Sequence, residues 1–541
     1  MLGFATLTPT YETLNAAMIS KSCSRILLAA LCALPALRVM AAEAPSAASL
    51  YAEHCAQCHS ADRLGAMGPA LLPENLGRLK RDAALGVIRD GRAATQMPAF
   101  RDKLTDGQIK QLAELVYTPL AQVPRWDVEQ MRASHVLYVK PGEKLADKPV
   151  FKVKDPLNLF IVVELGDHHA TLLDGDRFEP IKRFPTRFAL HGGPKYSPDG
   201  RYVYFGSRDG WVSKFDIYNL RYIAEIRVGI NMRNIAVSSD GRYVLAGNYL
   251  PHTLVVLDAK DLAPLKTIPV RGADGRTSRV SAVYDAAPRK SFIAALKDIP
   301  EAWEITYDEN AEPVYEGLVH DFRLGEAIPV PGPFPVRRIR LDDYLDDFFF
   351  DQTYDHLIGA ARDAKNSQVV NLYIRRKIAE VALPGMPHLG SGITFNYQGK
   401  PVFATPNLKE GVVSIVDMKE WTVIKRIETL GPGFFMRSHE NTPYAWVDAM
   451  MSPASKDVIQ IIDKRTLEVV KTLKPSPGKT AAHTEFTRDG KYALVSVWEM
   501  DGVLVVYDAT TFKEIKRLPM KKPSGKYNVY NKITRSSGTS H

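Results

Sequence analysis

The sequence predicts a small all-α domain followed by an all-β eight-bladed β-propeller, and three observations predict it. Helical periodicity and capping signals are concentrated before about residue 125. Beyond that point, short alternating strands recur, split by turn signals. Among them an Asp-Gly turn followed by two strands returns, and the first two such turns lie 41 residues apart.

Taken in order, the chain opens on a segment with a basic start (Lys21, Arg25), an apolar run from Ile26 to Leu37 and a small-residue end, Val39-Met40-Ala41-Ala42. This is the pattern of a secretory signal over residues 1–42, with residues 1–17 upstream of an alternative start at Met18. The run is too short for a membrane span, and no later stretch is long and apolar enough. The expected compartment is the periplasm.

Residues 43–125 come next. Ala47 to His59 reads as a helix that carries Cys55-Ala56-Gln57-Cys58-His59. A Cys-x-x-Cys-His run is the attachment signature of a c-type haem: two thiols one turn apart take the vinyl groups, and the adjacent imidazole supplies an axial ligand. Cys23 and Cys32 fall in the signal segment, so the exported chain keeps only the haem pair. A second helical pattern covers Asp82 to Arg89, a Gly-rich turn leads to Met97-Pro98, and Thr105-Asp106-Gly107-Gln108 forms a capping box. The helix it opens has Ile109, Leu112, Leu115 and Val116 on one face. The order haem motif, Met-Pro, closing helix resembles a class I cytochrome c domain. The resemblance implies His59 and Met97 as axial ligands, with Met67 as the alternative to Met97. With both axial positions filled, this haem transfers electrons and does not bind substrate.

Residues 126–147 read as a linker and 148–541 as the propeller. Ser197-Pro198-Asp199-Gly200, Ser239-Asp240-Gly241 and Arg488-Asp489-Gly490 each precede a strand pair that ends in Asp216, Asp258 or Asp508. At ~45 to 50 residues per blade, about 390 residues make roughly eight blades around a central channel. The net charge of +9 fits an acidic partner or a polycarboxylate ligand. No basic cluster is interleaved with aromatics, which argues against nucleic acid.

A c-type cytochrome ahead of an eight-bladed propeller resembles the cytochrome cd1 nitrite reductases and their relatives. Local stretches carry the resemblance: Asn158-Leu159-Phe160, Ser207-Arg208-Asp209-Gly210, Gly247-Asn248-Tyr249, Met386-Pro387-His388, Ser438-His439-Glu440-Asn441, Ser496-Val497-Trp498 and Gly525 to Asn531. In that family the propeller holds haem d1, a porphyrin-derived dione with several carboxylates. The resemblance implies His191 as proximal ligand of the d1 iron, and Arg208 and Arg233 as partners of its carboxylates.

The distal face separates the branches. Nitrite reductases use two histidines there. His388 matches one, but in Tyr344-Leu345-Asp346-Asp347 the residue Asp346 stands where the other is expected. An ionised carboxylate repels nitrite and has no proton to give. His483 lies where the reductases lack a histidine. With His388 and Tyr527 it resembles the set of the branch that completes haem d1, the dihydro-haem d1 dehydrogenases. The resemblance implies oxidation of a propionate of dihydro-haem d1 to an acrylate, with His388 as base and His483 and Tyr527 holding the carboxylate or passing the proton on. It implies one covalent haem c as electron outlet, an external electron acceptor, and a cytochrome cd1 nitrite reductase or other haem d1 acceptor as recipient. A nitrite reductase with a drifted distal site and a non-catalytic haem d1 carrier stay open as alternatives.

Overall fold

A computed structural model describes residues 44–534 apart from 67, 77–78, 93–96, 123–124, 141, 188, 316–328, 362–363 and 384. The expected signal over 1–42 and the alternative ligand Met67 lie outside the described residues. The chain divides into two units, 1–45 and 46–541, and every described helix and strand belongs to the second.

Helix α1 (Ala47–His54) begins at Ser46, whose hydroxyl accepts the Ser49 amide at 3.1 Å. At Cys55 φ widens to −118° within the right-handed region, which ends α1, and α2 (Ala56–His59) follows directly. The single helix expected over 47–59 is therefore interrupted at the first motif cysteine. Helices α3 (Pro73–Leu76) and α4 (Arg81–Asp90) follow. Helix α5 (Asp106–Val116) opens on the capping box: Thr105 Oγ1 accepts the Gln108 amide at 3.3 Å, and Gln108 Oε1 accepts the Thr105 amide at 2.8 Å. Leu50, Tyr51, Phe100, Ile109, Leu112 and Val116 form the core, with Cys55 and Met97 packed on it.

Residues 126–147 are fastened along their length. The Trp126 indole N–H donates to the Arg227 carbonyl at 2.8 Å. Helix α6 (Val128–Ser134) buries Met131 in the core of the adjoining blades. The short strand Val136–Leu137 then extends a propeller sheet by pairing with Arg221–Arg227.

Among the described residues there are eight antiparallel sheets, seven of four strands and one of five, and in each a run of at least three strands follows chain order. The recurring Asp at the end of the third strand caps the turn beyond it. Asp216 Oδ1 accepts the Tyr218 amide at 2.9 Å, and Asp258 and Asp508 do the same at 2.7 and 3.0 Å. At most junctions one edge strand of a sheet touches its counterpart in the next, so that these strands ring the centre. The ring closes by mixing distant parts of the chain: Pro523–Asn528 pairs with Leu159–Glu164, placing Tyr527 opposite Ile161. Helix α7 (Val529–Thr534) continues directly from that strand.

Candidate functional site

The haem-motif end is built from local bonds. The His59 ring is buried, and its Nδ1–H donates to the Pro69 carbonyl at 2.8 Å. That fixes the tautomer and leaves the Nε2 lone pair for a metal. Burial holds His59 below the usual histidine value, against the pull of the Pro69 carbonyl. Cys55 and Cys58 are free and half-buried. A redox dithiol needs a depressed thiol pKa. Burial first, and the Cys58 charge second, push the Cys55 thiol up to about 11 instead. These residues fit a covalently attached haem, with Met97 in the same core.

The second cluster lines the centre of the propeller. His191 lies in the loop that enters the strand Lys195–Tyr196, and its Nδ1–H donates to the Arg233 carbonyl at 2.6 Å. Two guanidiniums converge on its Nε2: Arg208 Nη2 at 2.9 Å and Arg233 Nη1 at 2.7 Å. The ring therefore has the tautomer of a proximal ligand, as His59 does. Burial and then Arg208 and Arg233 push its pKa well below the usual value, so it is neutral. Nearby, Tyr249 has its pKa drawn down to about 8: burial raises it, but Lys297, Arg233, Arg208 and Arg279 together outweigh burial.

Across the centre, His388 caps the 3-10 turn Leu389–Ser391. Its Nδ1–H donates to the Phe434 carbonyl at 2.5 Å, which leaves Nε2 as an acceptor. Burial lowers its pKa, Asp347 and the Phe434 carbonyl oppose, and Arg233 and Arg437 lower it further. The Phe435 ring lies 6.1 Å from the His388 ring and 4.7 Å from that of His483. His483 is the extra residue of a β-bulge, at φ 49°, a backbone geometry associated with functional sites. Its amide donates to Asp448 at 3.3 Å, and Lys526 Nζ donates to its carbonyl and to Ser496 Oγ (2.8 Å). Both ring nitrogens of His483 are buried without a hydrogen-bond partner among the described residues. Burial, then Lys526, Arg437 and Lys532, push its pKa well below the usual value. The Tyr527 ring stands 5.1 Å from that of His483, and burial pushes its phenol up to about 12.

The structure thus links His388, His483 and Tyr527 through ring contacts that include Phe435, and gathers Arg208 and Arg233 around His191, with the Arg233 charge reaching His388. Gly193 joins the two groups, since a Cβ there would lie 2.8 Å from the Tyr527 ring. Asp346 makes a buried ion pair with Lys297, and the carboxylate whose field reaches His388 is its neighbour Asp347. Asp347 accepts from Tyr284 Oη at 3.0 Å and the Gly390 amide at 2.7 Å.

Sequence reasoning left Tyr249, Lys297, Arg437, Lys526 and Lys532 without a role. Each is a cation or phenol amid buried strands, and Tyr249 and Lys526 lie inside the quoted motifs. Arg437 is almost fully buried, and its Nε has no hydrogen-bond partner among the described residues. Cations so enriched among buried side chains fit an anionic ligand with several carboxylates, because buried charge needs compensation.

The chain matches the family described as "Cytochrome D1 heme domain" over residues 154–319 and 331–532, and "Cytochrome C oxidase, cbb3-type, subunit III" over 42–116. It is 54% identical to the dihydro-heme d1 dehydrogenase of Pseudomonas aeruginosa over 501 residues, covering 93% of this chain and 97% of that one. It is 26% identical to the nitrite reductase of Stutzerimonas stutzeri, over 91% of this chain and 93% of that one. A solved structure titled as dihydro-heme d1 dehydrogenase NirN in complex with DHE superposes with a TM-score of 0.75 at 53% identity, covering 90% of this chain and 99% of that one.

Proposed function

The chain belongs to the cytochrome D1 heme domain family, and we infer that it oxidises a propionate side chain of dihydro-haem d1 to the acrylate of haem d1, the final step in making that cofactor. Turning CH₂–CH₂ into CH=CH beside a carboxylate removes two protons and two electrons. The observation that carries the reading is a pair of imidazoles with lowered pKa values, His388 part-buried and His483 fully buried, both within ring contact of Phe435.

The geometry supports the following roles. His191 offers Nε2 to the macrocycle iron, and Arg208 and Arg233 turn from it to the peripheral carboxylates. His388 accepts the proton at Nε2, because Nδ1–H is held by the Phe434 carbonyl. His483 and Tyr527 hold the reacting arm's carboxylate or pass the proton on. The lowered pKa values keep both imidazoles in the base form at neutral pH. At the other end Cys55, Cys58, His59 and Met97 hold a covalent haem c, which supplies a one-electron acceptor. An external acceptor would serve that group, and the product would pass to a nitrite reductase or another haem d1 acceptor in the periplasm. No described helix is long and apolar enough to cross a membrane.

The test is to add dihydro-haem d1 to purified holoprotein and follow the optical spectrum. Appearance of haem d1 with reduction of haem c is the expected result. Tight binding with no conversion in the presence of an oxidant overturns the reading.

A further inference from the structure

Both histidines with the proximal tautomer donate Nδ1–H to a backbone carbonyl: His59 to Pro69 at 2.8 Å, His191 to Arg233 at 2.6 Å. The two carbonyls belong to segments that pack on each other. Leu64, Ala70 and Leu72 share one buried core with Ile230 and Leu250. Gly65, at φ +80°, lies so close that a Cβ would sit 2.9 Å from Asn231 Nδ2.

One buried side chain fastens this contact. Arg279 is 1% exposed. Its Nε donates to Asp298 Oδ2 at 2.8 Å and its Nη2 to Asp298 Oδ1 at 2.5 Å, while Nη1 reaches across to the Asn75 carbonyl of α3. The same guanidinium lies 5.5 Å from the centre of the Tyr249 ring.

We propose that electrons leave the propeller site for haem c through the contact of Gly65 and Ala70 with Ile230 and Asn231, and that Arg279 is the positioning residue that keeps that contact closed. The route is almost wholly bonded: the His191 ring, its hydrogen bond to the Arg233 carbonyl, the backbone back to Ile230, one packed crossing to Gly65 and Ala70, the Pro69 carbonyl and the His59 ring. Electron transfer is favoured through bonds and close contacts over open gaps, and the crossing is the only non-bonded step. Each turnover releases two electrons. One reduces ferric haem c to the ferrous state, and an external one-electron acceptor reoxidises it before the second follows. The two protons leave through the pocket histidines. The proposal rests on the reading that the macrocycle binds at His191.

The test uses holoprotein loaded with haem d1, so that no turnover is required. A radiolytic pulse reduces haem c, and the spectrum reports how fast the electron equilibrates with the bound macrocycle. Arg279→Gln should slow that step about tenfold, the loss expected when a charge-assisted hydrogen bond to a backbone carbonyl is removed. Arg279→Lys should recover part of the rate. Ile230→Ala, which thins the crossing without touching a charge, should slow it as well. The haem c spectrum and its bimolecular reduction by ascorbate should stay as in the unaltered protein. Unchanged equilibration in both Arg279→Gln and Ile230→Ala overturns the proposal. If dihydro-haem d1 is not oxidised at all, the functional reading fails, while the equilibration rate still tests the route.

Discussion

A single methyl group tests whether Tyr527 must stand where it does. Gly193 has φ +69°, and a Cβ built on it would lie 2.8 Å from Tyr527 Cε1, 3.0 Å from Cζ and 3.1 Å from Oη. Ordinary contact begins at 3.4 Å, so in Gly193→Ala the ring has to retreat by about 0.6 Å. The left-handed backbone adds ~1 to 2 kcal/mol of strain, confined to the loop. No histidine is altered, so macrocycle binding should fall much less than conversion. Displacement of a positioned group by up to about 1 Å costs as much as 100-fold, and conversion should drop roughly 10- to 100-fold. The assay is single-turnover conversion of dihydro-haem d1, beside an optical titration of binding. Tyr527→Phe supplies the control: if the methyl acts through the phenol, the double variant should be no slower than Tyr527→Phe alone. Conversion by Gly193→Ala at the unaltered rate would refute the positional role of Tyr527.

Further predictions concern the other groups. His388→Ala should bind dihydro-haem d1 yet convert it about 100- to 10,000-fold more slowly, the usual worth of a general base, and conversion at the normal rate would remove His388 from that role. Stability of the substrate-free protein should fall on acidification. The folded His483 pKa lies well below 6.5, so the unfolded chain binds the extra proton first. The His483 contribution is intact above about pH 6.5 and is lost by about 1.4 kcal/mol per pH unit below it, with His388 acting in the same direction. Denaturant titrations at several pH values should show the slope, and His483→Gln should reduce it. Asp346→Asn leaves Lys297 buried without its partner and should cost about 3 to 5 kcal/mol, whereas Asp346→Leu with Lys297→Met should restore much of that. Equal melting of Asp346→Asn and the unaltered protein would show that the pair contributes nothing.

Much of the fold was legible because its signals are local. The Asp-Gly turns and the Asp that ends six of the eight third strands are short-range hydrogen-bonding devices that recur from blade to blade. The capping box at Thr105 and Gln108 is likewise contained within four residues. The candidate site was legible only in part. His191, His388, His483 and Tyr527 stood out through likeness to a family, since nothing in their spacing predicts that Gly193 touches Tyr527 or that Phe435 contacts two imidazoles. Asp346 shows the limit most clearly. In sequence it stands for a missing histidine, but its charge is matched by Lys297, 49 residues away, and the carboxylate facing His388 is its neighbour Asp347. The fastening of residues 126–147 also escaped the sequence, because Trp126 and Val136–Leu137 bind strand edges and carbonyls that no local pattern marks.

The closure of the ring has a consequence for when this protein can work. Pro523–Asn528 brings Lys526 and Tyr527 to a sheet whose other strands lie more than 300 residues earlier. A ribosome-bound or proteolysed chain lacking that strand keeps His191, Arg208 and Arg233 but has no phenol beside His483 and no ammonium on its carbonyl. The same pairing that makes the circle continuous sets Tyr527 beside His483 and Lys526 on its carbonyl, so closure of the ring and assembly of this cluster are one event.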